Sequence, residues 1–525
     1  AEGVKGKPPM KVLDRDLAGR IGELKTKGGI IETPYLFPVI DPIRQELPLE
    51  NIRRVGFSAV ITNAYLAYKR GWRSKIHGLL DSKELIVMTD SGAYQLLQYG
   101  EVGVNNREII EIEKLLDPDI AVILDVPTGD TLNRERAEWT VRETLRRAKE
   151  SLEIIDRDKR LWVLPIQGGI FTDLVEISAS ESAKLDFDIY ALGSPTKFME
   201  RYQYETILDM IRAARSYIPP EKPLHLFGAG HPMIIPFAVA MGIDLFDSAS
   251  YILFARDNRY LTEQGTLRLE NIKYFPCSCP ICSKYTPTEL IKMSKEERTA
   301  LLAEHNLHVV RKIINETKEA IKEGRLWELL ISMSRRHPSL LSALKRIEAA
   351  HFNWFELYTP SVKGEARGGL IFEGDSTYSP RIARIKKFIN ENYIPPRLFK
   401  RALVMPIYFR VPDARSRGEN HVIYYAPVLG AVPAELSGIY PIGQSVYQKL
   451  IGEEEQRRIA LEIALYIKKF RSLYSEIELR VCLEHSILIG ELKKLLEKEN
   501  LEEGVELSQI RCFFAQQNSQ EDTSE

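Results

Sequence analysis

The stretch IAVILDVPTGDTLNRERAEWTVRETLRRAKESLEIIDRDKRLWVLPIQG, residues 120–168, holds the pattern on which the fold turns. A short apolar run, IAVILDVP, is followed by AEWTVRETLRRAKESLEIIDR, an amphipathic helical segment, and then by a second apolar run, LWVLPIQG. Apolar runs of this length read as strands buried on both faces, and strands of that kind alternating with helices predict a parallel sheet covered by helices. Similar runs occur upstream as TPYLFPVI (33–40), SAVITNAY (58–65) and LIVMTDSG (85–92). Downstream they are DIYALGSP (188–195), PLHLFGAG (223–230) and DLFDSASY (244–251). Between them lie further helical segments such as NREIIEIEKLL (106–116) and ERYQYETILDMIRAARSYI (200–218). Eight strand–helix units predict an α/β fold, a closed (β/α)8 TIM barrel. An open doubly wound sheet is the competitor, but no glycine fingerprint follows the first strand. Ahead of the barrel, GRIGELKTKGGIIETP (19–34) reads as a hairpin turning at Lys27-Gly28-Gly29, placed to plug the barrel floor.

The predicted strands end on Asn63, Asp90, Asp125, Gln167, Gly193, Gly228 and Asp247. In a barrel these ends converge on one face, where the βα-loops build an active site. A single aspartate after a strand commonly caps the next helix. Three aspartates and a glutamine at equivalent ends of separate strands point instead to a functional constellation. Why the buried run LIVMT should stop on the carboxylate of Asp90 is the question that constellation raises.

The 525 residues carry 72 basic and 73 acidic side chains, a formal net charge of −1, so any nucleic-acid surface must be local. No apolar run reaches bilayer length and no signal-peptide pattern opens the chain, which predicts a cytoplasmic protein without membrane association. The length predicts several domains. We expect a catalytic barrel over 1–350, an accessory domain over 351–440, a mostly helical domain over 441–515 and a disordered polar tail over 516–525. The domains after the barrel read as smaller α+β units. Their markers are the basic helix SPRIARIKKFINENY (379–393), the helices EEEQRRIALEIALYIKKFRSLY (453–474) and ILIGELKKLLEKEN (487–500), and the tail AQQNSQEDTSE (515–525).

The five cysteines are too few for a disulfide framework, but three of them cluster in YFPCSCPICSKYTP (274–287). Cys277, Cys279 and Cys282 suit a tetrahedral zinc ion and lack one ligand, and His305 and His308 on the following helix (295–314) both offer it. Four protein ligands would close the site and make the zinc structural, within an insertion spanning about 270–310. The alternative is three structural thiols beside surface histidines.

Taken together, FGAGHPMIIPFAVAMGIDLFDSASYILFARDNRYLTEQGT (227–266), the cysteine cluster with His305, TDSGAYQLLQYG (89–100), ILDVPT (123–128) and PIQGG (165–169) resemble the archaeal tRNA-guanine transglycosylases. The resemblance covers residues 12–350 closely and continues more weakly through YPIGQS (440–445). It implies a TIM barrel with a zinc-binding insertion, His305 completing the zinc set, and exchange of guanine at position fifteen of the tRNA D-loop for 7-cyano-7-deazaguanine, on the way to archaeosine. Such an exchange breaks and remakes one glycosidic bond with retention, which calls for two carboxyls. By resemblance, Asp247 is the nucleophile and Asp90 the general acid/base. Asp125 receives the guanine donors, Gln167 and the Gly193 N–H serve its O6, and Tyr94 stacks on the base, where the family usually has phenylalanine.

Ser194 stands where archaeal members commonly have a second glycine, a departure that bears on discrimination at the 7-substituent. His231 in GAGHP is read as core packing, with a positioning role at the site as the alternative. Arg256, Arg259 and the helix with Arg381, Arg384, Lys386 and Lys387 are candidate tRNA contacts, or simply a solvated face. The resemblance also implies a homodimer. The C-terminal PUA domain common in archaeal members is not evident, so a separate PUA chain is a candidate partner. Two rival readings are an archaeosine-synthase-like paralogue and a catalytically inactive tRNA-binding subunit. Asp90 and Asp247 in their motifs weigh against the first, and guanine exchange into unmodified tRNA separates the second.

Overall fold

The computed structural model describes residues 7–93, 104–410 and 420–513. The chain opens with an antiparallel meander of three strands, β1 (Met10–Asp16), β2 (Gly19–Thr26) and β3 (Gly29–Thr33), with the predicted turn at Lys27-Gly28. Eight parallel strands then follow the eight apolar runs: β4 (Tyr35–Pro38), β5 (Ala59–Asn63), β6 (Ile86–Asp90), β7 (Ile120–Val122), β8 (Leu161–Ile166), β9 (Ile189–Leu192), β10 (Leu224–Leu226) and β11 (Leu245–Ser248). They pair in the order β4-β11-β10-β9-β8-β7-β6-β5. Beyond β4, a parallel bridge from Val39 to Ile61 and a 2.9 Å hydrogen bond from Ile40 N–H to Ile61 O join it to β5 and close the barrel. Because each strand is buried on both faces, its alternation is nearly absent: all five residues of β5 are buried.

The meander covers the end of the barrel where the strands begin. Arg20 on β2 makes a bidentate pair with Asp244, one residue ahead of β11, at 2.9 and 2.7 Å, with both side chains buried. The Leu224 N–H also donates to Asp244, tying β10 to the same carboxylate. Lys27 in the turn pairs with Asp117 ahead of β7. The floor is thus held by charge pairs between the meander and the strand starts, leaving the opposite end free for the site.

After β11 the chain forms helix Ser250–Arg256, a hairpin of β12 (Arg259–Thr262) and β13 (Gly265–Arg268), two short helices, Pro280–Lys284 and Pro287–Lys292, and the long helix Lys295–Glu323. Ser294 caps that helix, its side chain accepting from the Glu297 N–H, and Gly324 ends it in a left-handed conformation with φ 69°. No helix among the described residues is long and apolar enough to cross a membrane.

Two compact units make up the chain, Ala1–Pro360 and Ser361–Glu525. The first runs past the expected limit of 350 because helix Phe352–Tyr358 folds back onto it, with Phe355 wholly buried and edge-on to Trp327 at 6.0 Å. The second contains a five-stranded sheet ordered Gly430–Pro433, Asn420–Ala426, Arg401–Pro406, Glu476–Cys482 and Val505–Ile510. The expected division between 440 and 441 runs through this sheet. Helices Glu453–Phe470 and Ser486–Lys498 pack with the sheet in a shared core that includes Val404, Ile463, Leu479 and Leu492. The last two strands escape sequence reading because Glu476–Cys482 is half polar and the edge strand Val505–Ile510 has no buried residue. Cys482 and Cys512 form a disulfide, Cα atoms 5.5 Å apart, so one cysteine pair is bonded although no framework was expected.

Candidate active site

The C-terminal ends of the barrel strands enclose a cavity of about 230 Å³. Asp90, Asp125, Gln167, Gly193 and Asp247 all line it, together with Ser194. Tyr94 falls in residues 94–103, outside the described residues. Asn63, another strand-end residue, turns out to be a helix cap: its side chain accepts from the Leu66 N–H at 3.0 Å.

Asp90 ends β6 and accepts a 2.9 Å hydrogen bond from the Gly92 N–H. Gly92 has φ 77°, and a Cβ there would lie 3.1 Å from both Asn63 Oδ1 and Tyr65 Cβ, so the turn that presents Asp90 needs glycine. Burial pushes the Asp90 carboxyl up to about 7, reinforced by the negative charges of Asp247 and Asp125 and opposed by the Gly92 hydrogen bond. A carboxyl with that pKa takes up and releases protons readily near neutrality.

Asp125 is reached by a segment that is no longer strand. β7 stops at Val122, and from that residue onward alternate N–H groups are taken by side chains from the covering helices. Glu113 and Asn106, both on helix Asn106–Leu116, accept from Val122 and Leu124, and Thr144 on helix Arg134–Ser151 accepts from Val126. Burial raises Asp125 to about 6, against the lowering effect of the hydrogen bond from Gln167.

Gln167 is held in one orientation. Its Nε2 donates to Asp125 at 2.6 Å, while its Oε1 accepts from the Thr128 N–H at 3.1 Å and the Ser194 hydroxyl at 2.7 Å. The amide is therefore not free to flip, and its second N–H is the one left for a ligand. Gly193 plays a different part from the one its position suggested. Its N–H, expected to face a base, instead donates to Ile166 O at 2.9 Å. What the position requires is the absence of a side chain, since a Cβ would come within 2.3 Å of Gln167 Nε2. Ser194, with φ 71° and its hydroxyl also accepting from Gly129 N–H at 2.8 Å, donates its own N–H to no acceptor among the described residues.

Asp247, on β11, has one oxygen engaged. Oδ1 accepts from His225 Nε2 at 2.7 Å and from the Gly228 N–H at 3.3 Å. His231, as expected, is buried away from the chemistry: it caps the Pro232–Ile234 turn, bonds Gly265 O, and burial lowers it to about 4.

A separate cluster lies on the loop after the β12–β13 hairpin, the short helix Pro280–Lys284 and the long helix. The Sγ atoms of Cys277, Cys279 and Cys282 and a ring nitrogen of His305 all lie within 4.8 Å of one another. His305 Nε2 bonds Leu261 O at 2.9 Å, which leaves Nδ1 facing Cys279 and Cys282 at 3.5 and 3.2 Å. The Tyr260 ring stacks on the imidazole with centroids 3.8 Å apart. These four groups can hold a metal ion, and His305 rather than His308 completes the set.

Among the basic candidates, Arg256 is paired with Glu46, Arg259 with Asp257, and Lys386 with Glu462 at 2.8 Å, while Arg381 is buried. Lys387 is exposed.

A closed parallel barrel with three carboxylates and a fixed amide around one cavity at the strand ends, and a cysteine–histidine cluster beyond its last strand, defines a barrel enzyme of the acid–base kind. The comparison with known proteins makes this specific. Residues 15–339 match the family described as TGT: Queuine tRNA-ribosyltransferase, and the chain belongs to that family. It is 43% identical over 489 residues to the tRNA-guanine(15) transglycosylase of Saccharolobus solfataricus, covering 90% of this chain and 96% of that one. It is 44% identical over 485 residues to the protein of the same name from Aeropyrum pernix, covering 90% and 94%. With the one from Pyrococcus furiosus it shares 45% over 441 residues, covering 83% and 70%.

Proposed function

We propose that this enzyme replaces guanine at position 15 of tRNA with 7-cyano-7-deazaguanine through a covalent ribosyl-aspartate intermediate, a step towards archaeosine. Membership of the family and the names of its relatives support tRNA guanine exchange. The observation that carries the residue roles is that Asp90 and Asp247 border the same cavity with the Asp125–Gln167 pair. Asp247 attacks the anomeric carbon as the glycosidic bond to guanine breaks, with Asp90 donating a proton to the departing base. Asp90 then takes a proton from the incoming base, whose nitrogen displaces Asp247 and restores the original stereochemistry. Asp125 accepts from the donors on the base edge, and the free N–H of Gln167 with the Ser194 N–H replaces the donor expected of Gly193. Tyr94 supplies the stacking face. The target base must leave the folded RNA to reach this cavity.

Zinc is the metal proposed for Cys277, Cys279, Cys282 and His305, since three thiolates and one imidazole nitrogen make a closed, soft, four-coordinate set. Its role is structural. The proposal also includes cytoplasmic action, a homodimer and a separately encoded PUA chain, the last two testable by mass in solution and by adding such a chain to the exchange assay.

The deciding experiment is incubation of unmodified tRNA with labelled guanine and then with 7-cyano-7-deazaguanine, with the product mapped by mass spectrometry. Label appears at position 15 alone, and Asp247→Ala abolishes the covalent RNA adduct. An adduct that survives in Asp247→Ala, or no incorporation by the wild type with or without a PUA chain, overturns the proposal.

A further inference from the structure

His225 lies outside every motif residue discussed so far, yet it makes the shortest contact to Asp247. It sits in the middle of β10, wholly buried, and pairs in register with Leu245 on β11. Leu245 and Asp247 are two residues apart and share a face of β11, and Phe37 of β4 is in register with Asp247 on the other side. The imidazole thus lies one layer beneath the nucleophile inside the barrel. Its ring stacks on Phe37, centroids 5.9 Å apart at 13°, and leans against Phe227 at 4.8 Å.

Only one of its nitrogens is used. Nε2 is 2.7 Å from Asp247 Oδ1, whereas Nδ1 is buried without a hydrogen-bond partner among the described residues. A carboxylate accepts and does not donate, so the proton in this bond sits on Nε2. A second proton on Nδ1 would be a buried donor with nothing to receive it, a costly arrangement, whereas a bare lone pair against aromatic rings costs less. The hydrogen bond therefore fixes the tautomer. It also distinguishes the two carboxylate oxygens: Oδ1 receives both His225 and the Gly228 N–H, and no hydrogen bond to Oδ2 is formed among the described residues.

We propose that His225 is a positioning residue that pins Oδ1 of Asp247 through its Nε2–H and so makes Oδ2 the atom that attacks the sugar. This rests on Asp247 being the nucleophile. In the forward step Oδ2 gives an electron pair to the anomeric carbon while the bond to guanine nitrogen breaks, and Oδ1 becomes the ester carbonyl oxygen. In the second step the ester C–O bond breaks and its electron pair returns to Oδ2. The carboxylate charge is restored onto a group that His225 already solvates, which eases departure. A buried imidazole serves here where water would otherwise solvate the carboxylate and compete for the intermediate.

The test is single-turnover formation of the ribosyl-enzyme adduct with unmodified tRNA, run for wild type, His225→Phe, His225→Gln and Asp247→Ala, alongside thermal unfolding and KM for tRNA. His225→Phe keeps the ring and its stack but removes the donor, and adduct formation slows about 10- to 100-fold, the range expected for losing a hydrogen bond to a charged group, with KM unchanged. His225→Gln returns the donor and recovers most of the rate. If His225→Phe fails to fold, His225→Met is the second donor-free variant. Adduct formation at the wild-type rate in a donor-free variant overturns the inference. So does a folded His225→Gln as slow as His225→Phe, which would make the ring a packing element only. Persistence of the adduct in Asp247→Ala instead overturns the nucleophile assignment itself, a separate result.

Discussion

Asp90→Asn should destroy exchange and at the same time stabilise the barrel above neutral pH. The folded enzyme holds the Asp90 carboxyl at about 7, against an ordinary value of 3.8. A carboxyl whose pKa is higher in the folded state binds its proton more tightly there, so folding takes up a proton and stability falls as pH rises. The penalty begins near the unfolded pKa of about 4, grows until about 7, and is constant above. Three units correspond to about 4 kcal/mol, at about 1.4 kcal/mol per unit. Asp90 is only partly screened from the cavity, and water there lowers the cost to about 2 kcal/mol. Asparagine has the same shape, carries no charge and keeps the acceptor for the Gly92 N–H. The assay is unfolding followed calorimetrically from pH 4.5 to pH 8.5. The melting temperatures of wild type and variant converge at the acid end and separate progressively to pH 7, with the variant the more stable. A constant difference across the range, or a variant less stable at pH 8, would refute the claim that Asp90 is held against its charge.

Gly193→Ala drives a Cβ into Gln167 Nε2, 2.3 Å away, and so dislodges the amide that faces the base. KM for guanine should rise about 10- to 100-fold, measured in exchange kinetics, while binding of tRNA alone is unchanged. Elemental analysis should find one zinc per chain in the wild type and none in Cys279→Ser, and a strong chelator should lower the melting temperature of the wild type but not of that variant. Arg20→Met leaves the Asp244 charge buried beneath the barrel, offset by Arg215 at 3.6 Å and the Leu224 N–H but without its bidentate partner. Loss of about 3 kcal/mol in denaturant unfolding is expected, without a change in KM, since the substitution lies at the end opposite the site.

The barrel was legible because burial on both faces writes each strand as an uninterrupted apolar run, and eight runs separated by helices leave few architectures. The strand-end polar residues were legible for the same reason: Asp90, Asp125, Gln167 and Asp247 interrupt apolar runs where no core position would tolerate them. The cysteine cluster was legible from spacing, but spacing alone could not choose between His305 and His308, which differ in burial and in the Leu261 hydrogen bond. Three things stayed hidden. His225 sits in the middle of the run PLHLFGAG, where a lone histidine reads as core, and only the strand register shows it beneath Asp247. The role of Gly193 depended on where its N–H points, which the sequence does not encode. The last two strands of the C-terminal sheet stayed hidden inside a region read as mostly helical, because a short edge strand such as Val505–Ile510, with only Val505 and Leu507 turned to the core, carries too brief an alternation to stand out between long amphipathic helices.

The premature end of β7 shows how the fold makes a site of the polar residue it carries. A strand extended to Pro127 would have its N–H groups paired to a neighbouring strand and its direction fixed by the sheet. Here Glu113, Asn106 and Thr144 take the donors on one side, while on the other the Ile123 N–H still reaches Val163 O of β8 at 3.3 Å, so the covering helices share with the sheet in deciding where Asp125 lies. Each of these polar groups is buried, and each accepts a hydrogen bond from the segment it holds. Sequence changes in those helices, far from any substrate contact, should therefore alter base recognition. In Thr144→Val the shape is kept and the acceptor for the Val126 N–H is lost, leaving that donor buried and unpaired. The segment should shift to find another partner and take Asp125 with it, raising KM for guanine with little effect on tRNA binding. An unchanged KM in a stably folded Thr144→Val would mean that the Asp125–Gln167 bond, rather than the helices, fixes the carboxylate.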